Sequence, residues 1–315
     1  MTKNSANSQP KFTIRQLMEV GAHFGHKTMR RNPKMSRYIF TERDNISIID
    51  LNKTANLLNE ALKIVYQTAK NNGRILFIAT KKQAIEAVAE AANRCGQYYV
   101  NSRWLGGTLT NWKTVSQSLK TLKKIEEQLV DQEIGFLKKE KLMLERQRQK
   151  LEANLGGIKN MGGHPDLVFI IDINKEALAL AEAKKLGIPV MAIVDTNCNP
   201  DDVNYIIPGN DDSAKSIKLY CRLISDAIID GIRDNIAAAG IDISKMQNSE
   251  IANKAQEMKA AEELAKRAEK KSSGGKENRA KSHNKKKPSS SEKSEKPKDS
   301  KDKKPAKASE NPSQS

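Results

Sequence analysis

The apolar residues of this chain fall into runs with different spacings, and each spacing predicts a different kind of element. Five short stretches are almost wholly apolar: "ILFIA" (75–79), "YYV" (98–100), "LVFII" (167–171), "VMAIV" (190–194) and "YII" (205–207). Strands that are apolar on both faces are typical of parallel sheets, which helices cover on each side. Alanine-rich helical segments at 82–94 and 175–186 separate members of this set. The alternation predicts a three-layer α/β domain with a mainly parallel sheet and a long final helix over 212–239.

The segment before these strands predicts smaller elements. Thr13 and Gln16 have the spacing of a capping box, and Gly21 is suited to end the short helix that follows them. "YIF" and "ISIID" flank the polar stretch "TERDN", which favours a small hairpin. Asn52 is then expected to cap an amphipathic helix that ends at Gly73.

Residues 108–155 interrupt the alternation of strands and helices. Apolar residues recur there every three or four positions and then every seven, which is typical of two helices with narrow apolar seams. The seam residues are Leu109, Trp112, Val115, Leu119, Leu122, Ile125 and Leu129, followed by Leu137, Leu144 and Leu151. Two facing seams predict an antiparallel coiled-coil hairpin that turns near "DQEIG" and projects from the domain. The stretch "NSRWLGGTLTNWKT" (101–114), which holds both tryptophans, is then the junction between sheet and hairpin.

The composition of the chain predicts a polyanionic binding partner. The chain has 55 Lys+Arg and 38 Asp+Glu, a net charge of +17. An excess of positive charge of this size favours a nucleic acid as the binding partner, with a membrane surface as the second possibility. Residues 270–315 carry +9 of this charge and contain no Val, Ile, Leu, Met, Phe, Tyr or Trp. That composition predicts a disordered Lys/Ser-rich tail, which serves either solubility or non-specific contact with RNA.

The predicted organisation follows from these segments. Residues 1–11 form a flexible N-terminus, 12–107 and 156–245 an α/β RNA-binding domain, 108–155 the inserted hairpin, 246–269 a helical extension and 270–315 the tail.

The location of the protein is predicted from what its sequence lacks. The first residues, "MTKNSANSQPKF", lack the apolar core of a signal peptide. No run approaches the ~18 apolar residues that a membrane span needs. Cys95, Cys198 and Cys221 lack metal-ligand spacing and are typical of buried thiols in a reducing compartment. We expect a cytoplasmic protein with no membrane partner.

A search for catalytic chemistry finds no complete motif. Ligands of doubly wound sheets bind at the carboxyl ends of the strands, where this chain offers Thr80, Asp172 and Asp195. No G-x-G-x-x-G follows a strand, and neither the P-loop pattern nor G-x-S-x-G occurs. The weak candidates for a metal site are His23, His26, Asp195 and Asp211, which the fold would have to bring together. The preferred interpretation is structural histidines and helix-capping aspartates, with no metal, no cofactor and no enzymatic activity.

Basic residues near glycines and aromatic rings are the remaining chemical signal. Arginine binds phosphate through a bidentate fork and lysine binds it as a point charge. The candidate RNA-binding residues are Lys27, Arg30, Arg31, Lys34 and Arg37 in one loop around Pro33, Lys81 and Lys82 after the first parallel strand, and Arg103, Trp104 and Lys113 at the junction. Trp104 is suited either to stacking on a base or to packing. Trp112 occupies a seam position and is expected to pack between the hairpin and the sheet.

Several long stretches resemble, in order and spacing, those of one known family. They are "GAHFGHKTMRRNPKM", "ILFIATKKQA", "NSRWLGGTLTNWKTV", "LGGIKNMGGHPDLVFIID" and "LGIPVMAIVDTNCNPDDVNYIIPGNDD". The family is that of ribosomal protein S-two, the second protein of the bacterial small ribosomal subunit, and the resemblance extends over about residues 12–240. It implies a flavodoxin-like (Rossmann-like) domain with an inserted helical hairpin, in a structural constituent of the ribosome.

The resemblance also implies partners. They are small-subunit ribosomal RNA and other small-subunit ribosomal proteins, including the largest, messenger-binding protein, which this family helps to dock. The alternative, from the enzyme class, is a flavodoxin-like nucleotide-binding protein or hydrolase that uses the polar side chains at the strand ends.

Overall fold

The computed structural model describes residues 12–130, 137–240 and residue 257. The chain divides into two units, 1–263 and 264–315, and the described residues lie in the first. Four predicted segments, the N-terminus (1–11), the hairpin turn (131–135), the helical extension (246–269) and the tail (270–315), lie outside the described residues, apart from residue 257, which is helical.

The elements within the described ranges follow the predicted order closely. The helices are α1 (Ile14–Glu19), α2 (Leu51–Lys70), α3 (Ile85–Arg94), α4 (Trp112–Val130), α5 (Lys138–Leu155), α6 (Ala177–Lys185) and α7 (Ala214–Ala238). The strands are β1 (Phe24–Lys27), β2 (Ile39–Arg43), β3 (Ile46–Ile49), β4 (Ile75–Ile78), β5 (Tyr98–Val100), β6 (Leu167–Ile171), β7 (Val190–Val194) and β8 (Tyr205–Pro208).

The five apolar runs form one sheet, as the sequence predicts. Its strand order is β5-β4-β6-β7-β8, and all neighbouring pairs are parallel. Counted among these five strands alone, the order is 2-1-3-4-5, which is the flavodoxin-like order. The strands β4, β6 and β7 are buried along their whole length because helices cover both faces.

Two hydrophobic cores, one on each face of this sheet, complete the three layers. The first core joins alternate strand residues such as Phe77 and Phe169, whose rings meet edge to face at 5.5 Å, to the apolar sides of α2, α3 and α7. The second core joins the intervening strand residues to α6 and to the base of the hairpin, including Leu119 and Leu155. The cysteines 95, 198 and 221 are free and buried, as predicted.

A separate antiparallel sheet, of order β1-β3-β2, precedes the main sheet. The predicted hairpin is its β2–β3 pair. Asp44 and Asn45 form the turn with φ of 51° and 60°, the left-handed conformation that two-residue hairpin turns need. The third strand, β1, was not predicted, because "FGHK" has neither the alternation nor the apolar content of a strand.

Helix ends agree with the sequence where the capping signal is strong and differ where it is weak. The side chains of Thr13 and Gln16 form the predicted capping box of α1. The N-cap of α2 is Asp50 and not Asn52, since the Asp50 carboxylate accepts the backbone N–H of Asn52. The left-handed residue after α2 is Asn72, at φ 60°, which corrects the expectation for Gly73.

The inserted segment consists of α4 and α5, which contact each other. The α4 seam residues Leu119, Leu122 and Ile125 are buried, as expected. Leu137, assigned to the α5 seam, is instead exposed, because it is the N-cap residue that precedes the first turn of α5. The described part of the chain contains no helix long and apolar enough to cross a membrane.

Both tryptophans pack against the core on this face of the sheet, as expected for Trp112 and as one of the two alternatives for Trp104, but Trp104 is the more buried ring. Trp104 is only 6% exposed and belongs to the core between the sheet and α6, whereas Trp112 is partly exposed at the start of α4. The seam spacing of Trp112 identified a helix face correctly. It did not show that Trp104 is the more buried of the two rings, because that depends on how the loop folds back onto the sheet.

Candidate nucleic-acid interface

The segment that carries five of the candidate RNA-binding residues, 27–37, is here called the basic loop. It follows β1 and consists mainly of two short 3-10 turns, the second of which begins at Pro33. Met35 is fully buried and anchors the loop from below. The Asn32 N–H donates to the carbonyl of Thr196, at 2.8 Å, and so ties the loop to the segment that follows β7.

The entry to the basic loop is held to the same segment. The His26 N–H donates to Thr196 Oγ1 at 2.9 Å. A Cβ atom at Gly25 would lie 2.5 Å from the Thr196 side chain, so the close approach of the two segments requires glycine there. The backbone of the basic loop is therefore supported by the carboxyl edge of the main sheet.

All five basic side chains of the loop, Lys27, Arg30, Arg31, Lys34 and Arg37, are exposed. Arg31 pairs with Glu42, and Lys34 pairs with Asp201. These side chains are partly solvent-exposed, and exposed pairs are worth only ~0–1 kcal/mol, so either cation can exchange its partner for a phosphate. The Arg37 guanidinium lies 5.2 Å from the centroid of the Tyr38 ring.

Three further candidates, Lys82, Arg103 and Lys113, are also exposed. Lys82 follows β4 and Arg103 follows β5, and these two strands are parallel neighbours. Their carboxyl ends therefore lie at the same edge of the sheet. Lys113 is in the first turn of α4, where the hairpin leaves the domain.

Lys81 is in a different position from the other candidates, because its ammonium group is surrounded by carboxylates. Its Nζ lies 3.1 Å from Asp172, 2.7 Å from Asp211 and 2.6 Å from Asp212. Burial acts to lower the pKa of Lys81, but hydrogen bonds to Asp211 and Asp212 outweigh it and raise the pKa above its ordinary value. Its charge is already balanced within the protein, so we do not include Lys81 among the residues proposed to contact RNA.

Trp104 is excluded from that set for a related reason. Its ring is buried, and its indole N–H donates to Glu182 of α6 at 3.1 Å. The same carboxylate accepts the backbone N–H groups of Gly107, Leu109 and Thr110, at 2.7, 2.9 and 3.0 Å. Glu182 thus fixes the junction loop, residues 101–111, and no face of Trp104 is open for stacking on a base.

The electrostatics of Glu182 reflect these contacts. Burial acts to raise the pKa of the carboxyl group, but the hydrogen bonds from Thr110, Trp104, Gly107 and Leu109 together hold the pKa below its ordinary value. Sequence reasoning missed this residue because a glutamate within "LALAEAKK" has the pattern of an ordinary polar helix position.

The carboxyl edge of the sheet also carries an acidic group, here called the strand-end cluster: Lys81, Asp172, Asp195, Asp211, Asp212 and His26. His26 Nδ1 lies 3.0 Å from Asp195 and its Nε2 lies 3.3 Å from Asp212. The hydrogen bond to Asp195 raises the pKa of His26, against the effect of burial. Burial, followed by the nearby charge of Asp195, raises the pKa of Asp211 to about 7.

The fold therefore brings together three of the four weak metal candidates, His26, Asp195 and Asp211. His23 is apart from them: its ring packs against Phe24, with centroids 4.0 Å apart, and burial lowers its pKa.

One backbone feature of the strand-end cluster has no signal in the sequence. Asp172 adopts a left-handed conformation with φ of 66° at the end of β6. Its carboxylate accepts the backbone N–H groups of Asn174 and Lys175, at 3.1 and 3.2 Å. These two hydrogen bonds stabilise a conformation that residues other than glycine rarely adopt.

Comparison with known proteins gives consistent matches. The sequence model of the family described as Ribosomal protein S2 matches residues 17–231. The small ribosomal subunit protein uS2 of Brucella ovis is 58% identical over 234 residues, which cover 74% of this chain and 92% of that protein. The protein of the same name from Jannaschia sp. is 57% identical over 239 residues, 76% of this chain and 87% of that protein. That of Brucella suis is 58% identical over 234 residues, 74% of this chain and 91% of that protein.

Proposed function

This chain belongs to the ribosomal protein S2 family, and we propose that it binds small-subunit ribosomal RNA mainly through the basic loop. Family membership makes it a ribosomal protein of the small subunit, located in the cytoplasm, and not an enzyme. The alternative of a nucleotide-binding protein or hydrolase is therefore set aside. Ribosomal RNA and other ribosomal proteins are its partners in the subunit.

One observation carries the proposal of RNA binding through the basic loop. Five exposed cations lie within eleven residues whose backbone is held to the main sheet by Asn32 and His26. A preorganised set of cations binds phosphates without a large cost of ordering the loop. The irregular 3-10 turns allow the side chains to diverge, which suits an RNA backbone that does not run straight. Lys82, Arg103 and Lys113 extend the proposed contact along the sheet edge and onto the base of the hairpin.

The proposal is tested by the salt dependence of RNA binding. The full chain and the triple variant Arg30→Ala, Arg31→Ala, Lys34→Ala are titrated with small-subunit ribosomal RNA over a range of KCl concentrations. Each phosphate contact contributes ~0.7–0.9 to the slope of log K against log [KCl]. Loss of up to three contacts should therefore reduce the slope by roughly 2, and incorporation of the variant into small subunits should fall.

A matched triple variant separates this effect from the loss of net charge. Lys63 on α2 and Lys215 and Lys218 on α7 are exposed lysines outside the proposed interface, and their replacement by alanine removes the same charge. The control should keep the wild-type slope. Equal slopes for the wild type and the loop variant, or equal losses in the two variants, would contradict the assignment to the basic loop.

We further propose that the small antiparallel sheet and the adjoining start of the basic loop contribute to docking of the largest, messenger-binding protein of the subunit. The family resemblance implies the docking but assigns no surface to it, and two exposed apolar side chains support a protein contact at this place. Met29 is 95% exposed and Phe40 is 74% exposed. Large apolar side chains exposed to this degree are more stable when a partner covers them.

The double variant Met29→Ser, Phe40→Ser tests the docking proposal. Small subunits that contain it should keep the variant chain but bind less of the messenger-binding protein on a sucrose gradient. Leu178→Ser on α6, another exposed apolar position, is the control. Unchanged recovery of the messenger-binding protein with the double variant would remove this surface from consideration.

A further inference from the structure

The base of the hairpin carries two aromatic rings that the proposed RNA contact does not use. Trp112, the first residue of α4, is partly exposed at the edge of the core between the sheet and α6. His164, in the loop before β6, is exposed. The centroids of the two rings lie 6.2 Å apart at an interplanar angle of 51°. A pair tilted in this way is neither stacked nor edge to face, so neither ring covers the flat face of the other.

The loop that carries His164 is anchored on both sides of this residue. Met161 and Pro165 are buried, whereas His164 between them is exposed. The Arg74 guanidinium donates to the carbonyl of His164 at 3.4 Å, and the Asp166 N–H donates to the carbonyl of Arg74 at 2.8 Å. The imidazole is therefore presented by a backbone that is already fixed, which lowers the entropic cost of binding a ligand there.

Trp112 is also held in place, by the end of the junction loop. The Asn111 N–H donates to the carbonyl of Gly107 at 2.8 Å, and the Gly107 N–H donates to Glu182 at 2.7 Å. Lys113, the next residue along α4, is exposed and provides a positive charge beside the ring. A tryptophan, an imidazole and an ammonium group are thus presented together at the base of the hairpin.

These two rings lie apart from the basic loop. His164 precedes β6 and so lies at the amino edge of the parallel sheet, whereas the basic loop is held at the carboxyl edge. The five residues of β6 separate the two edges by roughly 16 Å. A ligand bound at the rings is therefore a second contact and not an extension of the same one.

We propose that Trp112 and His164 form a stacking site for one unpaired base of small-subunit ribosomal RNA, with Lys113 beside the phosphate of that nucleotide. The inference rests on the proposed function, because it takes this RNA to be the ligand of the chain.

The surroundings of the two rings favour a base over an apolar protein surface. The exposed neighbours of Trp112 in the chain, Asn111 and Lys113, are polar, and Gly162 beside the His164 loop has no side chain. Contacts between proteins are favoured by contiguous apolar patches, which these neighbours do not provide. A base has a flat face that stacks on an aromatic ring and polar edges that remain in water, and bases in RNA loops and bulges are commonly bound in this way.

The site would add affinity of a kind that the basic loop does not supply. Contacts to phosphates release counterions and weaken steeply as the salt concentration rises. Stacking of a neutral base on a ring releases no counterion, so its contribution should be the same at low and high salt. The two proposed contacts therefore differ in a property that a titration measures.

The first test observes each tryptophan separately in the full chain. Trp104→Phe leaves Trp112 as the only tryptophan, and Trp112→Phe leaves only Trp104. Each variant is titrated with small-subunit ribosomal RNA while the tryptophan emission is recorded, and circular dichroism checks folding. Bound RNA should quench the emission of Trp112 and protect it from acrylamide. The emission of Trp104, whose ring is buried, should change little.

The second test measures RNA affinity over a range of KCl concentrations in variants that keep Trp104. Trp112→Leu removes the ring but keeps an apolar side chain against the core, and it should weaken binding by a factor of roughly 5 to 150 with the salt slope unchanged. Trp112→Phe keeps a ring and should lose clearly less affinity. His164→Leu should also weaken binding at an unchanged slope.

Phe40→Leu is the matched control, because it removes an exposed aromatic ring outside the stacking site. Its RNA affinity should equal that of the wild type. The triple variant of the basic loop separates the two proposals, since it should change the salt slope, whereas Trp112→Leu should not. Loss of affinity in Trp112→Leu together with an unchanged slope in the loop variant would contradict the basic-loop assignment and support the stacking site.

Three results would overturn the stacking site. The first is an unchanged emission of Trp112 when ribosomal RNA binds, even if the emission then changes in assembled small subunits, because a protein would then cover the ring. The second is wild-type RNA affinity in a folded Trp112→Leu variant. The third is a loss of salt slope in Trp112→Leu, which would show that a phosphate and not a base is bound at this place.

Discussion

Replacing Glu182 with alanine should loosen the junction between the main sheet and the hairpin more than any other single change of an exposed or half-buried polar side chain. Its carboxylate accepts five hydrogen bonds, from the Trp104 indole, from three backbone N–H groups and from the Thr110 hydroxyl. No other contact described for the junction loop, residues 101–111, ties so many of its donors to one side chain. The prediction therefore tests whether a single carboxylate holds this loop in place.

The expected magnitude follows from the donors left without a partner. A hydrogen bond to a charged group contributes ~1.5–3 kcal/mol, and a buried donor left unpaired costs ~1–3 kcal/mol. Glu182 is half-buried, so water can replace part of the lost contacts. We expect Glu182→Ala to lower the free energy of unfolding by about 3 kcal/mol. Glu182→Gln should cost about 2 kcal/mol, because its amide NH₂ group would face N–H donors.

The assay is urea unfolding followed by tryptophan fluorescence. The chain has two tryptophans: Trp104 lies in the loop that Glu182 holds, and Trp112 directly follows it, so the emission reports on this junction directly. Glu60→Gln, at an exposed position of α2, is the control for loss of a carboxylate and should change the free energy of unfolding by less than about 0.5 kcal/mol.

Lowering the pH should reproduce part of the loss of stability that the Glu182 variants show. The folded-state pKa of Glu182 is below its ordinary value of 4.5, so the stabilisation is fully present above about pH 4.5 and is lost as the pH falls through the lower folded value. The difference in the free energy of unfolding between the wild type and Glu182→Gln should therefore become smaller at the acid end of this range. A wild-type urea midpoint in Glu182→Ala, with an unchanged emission spectrum, would refute this account of the junction.

Three further predictions concern packing and buried charge. Trp104→Ala should lower the free energy of unfolding by ~3–5 kcal/mol, and Trp112→Ala should lower it clearly less. Urea unfolding followed by circular dichroism measures both values. The reverse order would contradict the burial of Trp104. Gly231→Ala should destabilise the protein by ~1–3 kcal/mol despite the higher helix propensity of alanine, because its Cβ would lie 2.5 Å from a carbonyl oxygen of α2. Gly106→Ala, which meets open space, should be close to neutral by the same measurement. Lys81→Met should lower the free energy of unfolding by ~3–5 kcal/mol at neutral pH, because it leaves the carboxylates without their cation. A free energy of unfolding equal to that of the wild type would show that these ion pairs do not stabilise the protein.

The sequence by itself determined the architecture of the main domain. Strands buried on both faces need continuous apolar runs, and the five runs are local features that can be read without knowing their neighbours. The hairpin turn at Asp44 and Asn45 and the capping box of Thr13 and Gln16 are equally local, because each depends on residues within three positions. The exposure of the basic loop can also be read from its own sequence, because a hydrophobic core cannot accommodate so many charged side chains.

Only the tertiary structure decided which polar side chains are available to a partner. Lys81 and the exposed basic residues look alike in sequence, but Lys81 meets carboxylates that follow β6 and β8, up to 131 positions away in the chain. Trp104 is buried because Glu182, 78 positions further on, fixes the loop that carries it. The strand β1 exists because β3 pairs with it, and its own residues have no strand pattern. Spacing reports which residues share a face of one element, whereas burial and charge balance depend on elements that are distant in the chain and meet only when it folds.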